Sequence, residues 1–261
     1  MKTIRSVIFT CLFYMRTPLW IGTFFVFLAI SFSGIGSGET ISEFFLHSLG
    51  GIQSSVYAGY FPLVEIGRWL LMIFYWLVII GDFLAAKLGG FLSFELQHSR
   101  SYFNWECKTY LIIFIFSFGF TAIGILTTGV CFFYFDTGMI NPKFILFLVQ
   151  MTFTLCGHFF FYGILLLLSS MIFKQYMHAV IAITLLEGIS IFIALEKKEW
   201  DMVLPGTWGM LIRYQDGIYI NKYKLIMTAL VQIVASIIAA LVIYHTQKKT
   251  GGKLNEKRIY A

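Results

Sequence analysis

A chain of 261 residues that is 59% hydrophobic and only 12% charged is not a soluble globular domain, where roughly a quarter of residues carry charge. Its formal charge of +6 reads as the positive bias of cytoplasmic membrane loops, so no nucleic acid is expected among its partners. Several runs reach the roughly 20 apolar residues that a span needs. They are too long and uniform for barrel strands, and in lipid only helices or closed barrels satisfy their own backbone. The expected fold is all-α, a polytopic membrane protein with about six transmembrane helices.

Residues 1–17 begin like a signal peptide, with Lys2 and Arg5 before the apolar run from Val7 to Met15. Arg16 and Pro18 end the run without a small-residue cleavage site. We read it as an N-terminal amphipathic helix on the cytoplasmic surface, with Pro18 turning the chain into the first span, about 19–35. Gly34, Gly36 and Gly38 close that span and keep a cleaved leader as the alternative.

The transmembrane domain is expected over 18–244. An outer loop, 36–65, contains a predicted short interfacial helix from Ile41 to Leu49. The second span is about 66–88. A polar, aromatic connector, 91–108, leads to the third span, about 110–133. Asp136, Gly138, Asn141 and Pro142 form a breaker cluster, after which the fourth span is about 144–172 and the fifth about 177–195. A second outer loop, 196–223, opens on charged residues from Glu196 to Asp201 and holds Pro205, Gly206, Trp208 and Gly209. Both outer loops are either surface helices or partly re-entrant. The sixth span is about 225–244, and a basic tail, 245–261, is expected to lose order beyond Thr250, Gly251 and Gly252. With both termini cytoplasmic, twelve of the nineteen Lys and Arg fall inside, and most of the others lie in one long loop. The rule weighs short loops most.

In the connector, Phe91, Phe94, His98, Tyr102 and Trp105 recur every three or four residues, which aligns them on one helix face. Glu95, Ser99, Arg100, Asn104 and Glu106 fall largely on the other. Such a stretch either transmits movement from a soluble partner or lies at the bilayer surface as a plain connector.

Ionisable residues inside spans are costly and are functional candidates by default. Asp82 in the second span, His158 in the fourth and Glu187 in the fifth are the candidates for a translocation path. Asp82 lies near the cytoplasmic end, where a paired or hydrated carboxylate is the simpler reading. Glu187 either lines a path or pairs with a neighbouring helix, and His158 suits a helix-to-helix hydrogen bond. No HExxH or GxSxG motif accompanies them, so no catalytic residue is assigned. Cys11, Cys107, Cys131 and Cys156 show no CxxC pair, so neither a disulfide nor a metal site is expected. No GxxxxGK[ST] phosphate loop occurs either, so any ATP-driven process would draw on another polypeptide. That absence favours partner docking for the connector.

A leading amphipathic helix, six spans, cytoplasmic termini and one sizeable cytoplasmic connector resemble the ABC-2 type permeases of ATP-binding-cassette exporters. The run from His98 through Arg100, Tyr102 and Trp105 to Lys108 is similar to the connector of small bacteriocin- or peptide-export and immunity permeases of Gram-positive bacteria. The run from Leu204 to Arg213 is similar to their Pro-Gly-x-Trp-Gly element. The resemblance implies a permease subunit in the cell membrane that exports an amphipathic peptide or lipid-like compound. It would pair with a second permease subunit, identical or paralogous, among membrane lipids. It would engage an ATPase subunit, which carries the ATP and Mg, through Phe94, Glu95, His98, Arg100, Tyr102, Trp105 and Lys108. No cofactor is expected on this chain. The rival expectations are a membrane-embedded enzyme with His158 and Glu187 as acid–base partners, and a non-transporting immunity or anchor protein.

Overall fold

The structure, a computed structural model, describes residues 16–33, 40–52, 62–86, 102–135, 143–173, 175–196, 198–200, 203–216 and 219–259. Among them are seven α-helices: α1 Thr17–Phe32, α2 Ile41–Leu49, α3 Leu63–Ala86, α4 Tyr102–Phe135, α5 Phe144–Phe173, α6 Tyr176–Glu196 and α7 Lys222–Ile259. The expected N-terminal surface helix, apart from its last residues, and most of the connector lie outside the described residues.

Five helices, α3 to α7, are long and apolar enough to cross a membrane. This is the architecture of a multi-pass membrane protein. The first apolar helix, α1, has 16 residues and spans about 24 Å at 1.5 Å per residue, short of the roughly 30 Å hydrocarbon core. It starts where the sequence places it, with Pro18 in the first turn, where a missing N–H costs nothing. It ends at Phe32 instead of near residue 35.

Two expectations need correction. The third span was placed from about residue 110, after a separate connector, but α4 is continuous from Tyr102. No Gly or Pro stands between Tyr102 and Phe118, so nothing stops the helix from extending back by two turns. Similarly, α7 runs through Gly251 and Gly252 to Ile259, past the pair where order was expected to fade. Each glycine costs an established helix only about 1 kcal/mol.

The bundle is centred on α5, which packs against α3, α4, α6 and α7. At its middle Trp76, Phe120 and Phe159 meet with ring centroids 4.9–5.6 Å apart, and the Trp76 indole donates to the Phe159 carbonyl at 2.9 Å. Helix α1 lies along α4. Phe27 rests on Gly124, where a Cβ would come within 2.6 Å of the ring, and Ser31 bonds Thr128 across the pair at 2.9 Å.

One end of the bundle is covered by the two loops expected on the outer side. Helix α2 occupies the expected residues, started by a Thr40–Glu43 capping box, which satisfies two first-turn donors reciprocally. It does not lie flat at an interface: Ile41, Phe44, Phe45, Leu46 and Leu49 are all buried, with Phe44 against Phe132 of α4 and Phe45 against Phe144 of α5. Residues 203–214 also fold inward through two short 3₁₀ turns, Pro205–Thr207 and Leu211–Tyr214. A two-residue antiparallel ladder, β1 Gln215–Asp216 with β2 Tyr219–Ile220, then reverses the chain into α7. The loops join where Ile212 N–H donates to the Gly50 carbonyl at 3.0 Å. Gly51 sits beside this junction at φ +100°, a left-handed conformation that glycine adopts freely. A Cβ there would lie 2.4 Å from Met210.

Candidate functional site

Two ionisable residues of the bundle interior, Glu187 and His158, meet beneath this cap. Glu187 stands on α6, twelve residues into an otherwise apolar helix, and has no exposed surface. An ionised carboxylate in such surroundings is tolerated only with partners. Trp69 of α3 donates its indole N–H to Oε1 at 2.6 Å, and Tyr162 of α5 donates its hydroxyl to Oε2. One turn before Tyr162, on the same face of α5, the Nε2 of His158 lies 3.6 Å from Oε1. That is too long for a hydrogen bond. His158 is also fully buried, and neither ring nitrogen has a hydrogen-bond partner. Its ring is held between Trp69 and Tyr162, with centroids 5.5 and 4.7 Å away.

The cap completes the site with backbone. At Gly206 a Cβ would stand 2.8 Å from the Ser190 Cβ, 3.0 Å from the Glu187 carbonyl and 3.2 Å from its Oε2. At Gly209 it would stand 2.7 Å from the His158 ring. The two glycines therefore let the loop backbone lie directly on the carboxylate and the imidazole. Trp208 between them packs on Phe161 at 5.1 Å. Tyr214 places its hydroxyl within reach of the carbonyls of Thr207 and Trp208, 3.2 and 3.3 Å, and Arg213 donates to the Ala194 carbonyl near the end of α6. Chemically the arrangement is a buried acid and base with two fixed donors on the acid.

Of the three path candidates, Glu187 and His158 are brought together and Asp82 is not. Asp82 lies thirteen residues after Trp69 on α3, roughly 20 Å along the helix. It is ion-paired with Arg16 at 3.1 Å, with side-chain exposures of 26% and 66%. Of the coupling residues, Phe94, Glu95, His98 and Arg100 lie outside the described residues. Tyr102 and Trp105 fall in the first turns of α4, and Lys108 follows there, half-buried. Among the described residues, no group of three or more His, Cys, Asp and Glu side chains converges on a metal position.

Sequence reading missed Trp69 and Tyr162. The spacing of Tyr162 four residues after His158 was the available signal, since such residues share a helix face. Nothing local pointed to Trp69, which meets Glu187 from 118 residues away. The glycines were seen as part of a motif and not as contacts. No protein-family model, curated protein or solved structure matches this chain.

Proposed function

We propose that the chain is the permease subunit of an exporter of the ATP-binding-cassette class. It would move an amphipathic peptide or lipid-like compound and be driven by a separate ATPase subunit. The observation that carries this reading is the capped polar cluster. A carboxylate and an imidazole lie without exposure inside an apolar bundle, closed at one end by irregular loop backbone instead of a helix. Ionisable groups at such depth mark substrate or ion pathways, and non-helical backbone at depth is tolerated where it packs on protein or lines a cavity. In this reading α1 counts as the sixth span, and both termini face the cytoplasm of a cell-membrane protein. The capped end faces outward in its closed state, and a second permease subunit completes the path. The connector 91–108 is the docking surface for the ATPase.

The test is purification of the intact protein in mild detergent from its native host. A nucleotide-binding subunit should accompany it, and Arg100→Glu or Trp105→Ala should weaken that association at least about tenfold while leaving membrane insertion unchanged. Absence of any such subunit, or its full retention in both variants, refutes the reading.

One observation favours a second reading, a membrane-embedded enzyme acting on lipid or peptide. His158 and Glu187 stand 3.6 Å apart, with a tyrosine hydroxyl on the same carboxylate. These are residue types that serve as acid and base once a water or substrate group bridges the gap. Such an enzyme would turn over alone, without ATP.

A further inference from the structure

On the flank of the bundle, residues of α1 and α4 line a groove of about 450 Å³. Its walls are Trp20, Ile21 and Phe24 of α1 and Ile123, Leu126 and Val130 of α4. The volume is within the range of ordinary small-molecule sites, roughly 300–1,000 Å³. Trp20, braced edge-on against Phe116 at 5.5 Å, forms the buried floor. Leu126 and Val130 are exposed by 68% and 63%, so the groove opens sideways, towards the hydrocarbon that surrounds a spanning helix. With Thr17 and Thr127 as the hydroxyl-bearing residues among its lining, such a largely apolar wall suits a linear apolar chain.

The α1 side of the groove ends at Thr17, next to Arg16. The Arg16 side chain is largely exposed, and Asp82 engages it at Nε, 3.1 Å away. A guanidinium has five N–H donors. The carboxylate engages one of these donors, and the largely exposed side chain has others with which to meet an anion. Guanidinium and phosphate match in shape and charge. A second apolar helix would fill the walls without placing a phosphate at Arg16, and a zwitterionic lipid would bring a phosphate already balanced by its own cation.

We infer that this groove is a binding site for one anionic phospholipid, with an acyl chain between α1 and α4 and its phosphate on Arg16. The site is independent of the transport reading, because it needs only a membrane-embedded chain.

The test is native mass spectrometry of the purified, delipidated full-length protein, titrated with phosphatidylglycerol or phosphatidylcholine of the same acyl composition. The wild type should retain a single phosphatidylglycerol in preference to phosphatidylcholine. Leu126→Trp fills the groove from an exposed position that tolerates the larger ring, and it should weaken retention at least about tenfold. Arg16→Gln leaves the groove open and should bring phosphatidylglycerol down to the level of phosphatidylcholine. Equal retention of the two lipids by the wild type overturns the proposal. So does undiminished phosphatidylglycerol binding in Leu126→Trp, or a groove that proves to be closed by a second copy, seen as dimers that exclude lipid and dissociate on Leu126→Trp.

Discussion

Two pairs of acid and base among the described residues stand in opposite settings. Arg16 and Asp82 meet near one end of the bundle at 3.1 Å, both partly exposed. Glu187 and His158 stand 3.6 Å apart under the cap with no exposure at all. The closer pair should matter less. Water screens exposed charges and competes for them, so such pairs contribute about 0–1 kcal/mol. In the interior there is no solvent to replace a lost partner, and breaking a buried pair costs about 3–5 kcal/mol. Distance alone ranks the pairs in the wrong order, and burial reverses it.

The largest expected effect comes from removing the acid of the buried pair. Glu187→Ala strips the acceptor from the Trp69 indole and the Tyr162 hydroxyl and leaves a cavity beside His158. We expect a loss of about 3–5 kcal/mol, measured by denaturant unfolding in detergent micelles. Glu187→Gln keeps one acceptor and a similar volume and should lose less than half as much. If the two variants are equally stable, hydrogen bonding is not what holds the carboxylate, and the contrast between the pairs fails at its strong end.

The cap supplies a smaller effect with its own control. Gly209→Ala places a methyl 2.7 Å from the His158 ring, and overpacking of this kind costs about 1–3 kcal/mol. Gly188, the residue after Glu187, has nothing within 4 Å of an added Cβ. Gly188→Ala should therefore stabilise α6 by up to about 1 kcal/mol through helix propensity. Two glycine substitutions near one cluster should thus shift the unfolding midpoint in opposite directions. An unchanged midpoint in Gly209→Ala would mean that the cap does not rest on the cluster.

This contrast also explains what could be read from the sequence. The apolar runs gave the positions of α3, α5, α6 and the start of α7 to within a few residues, because lipid leaves a long apolar stretch few alternatives to a helix. Glu187 and His158 stood out as polar residues in such runs. Their meeting was not legible, because periodicity describes the faces of one helix and not which helix each face meets. Trp69 is one aromatic residue among many in α3 until Glu187 lies opposite it. The inward fold of residues 203–214 was hidden for another reason. Pro205, Gly206 and Gly209 read as turn punctuation, which marks a loop without saying whether it covers protein or water. Arg213, counted as an outer-loop charge, is buried against the end of α6.

The smallest expected effect tests the weak end of the contrast. Asp82→Asn removes one charge of the Arg16 pair and keeps the size and hydrogen-bonding capacity of the side chain. With Arg16 66% exposed, solvent takes up much of what the carboxylate gave, so the loss should stay below about 1 kcal/mol. Raising ionic strength should shrink even that difference, since screening acts on exposed charges over about 10 Å at 0.1 M salt. The same salt should leave the Glu187→Ala deficit unchanged, because mobile ions do not reach a site without exposure. Parallel denaturant titrations of both variants at low and high salt measure this directly. A salt-sensitive deficit in Glu187→Ala would show that water and ions reach the cluster, and that the loop from Leu204 to Met210 does not seal it.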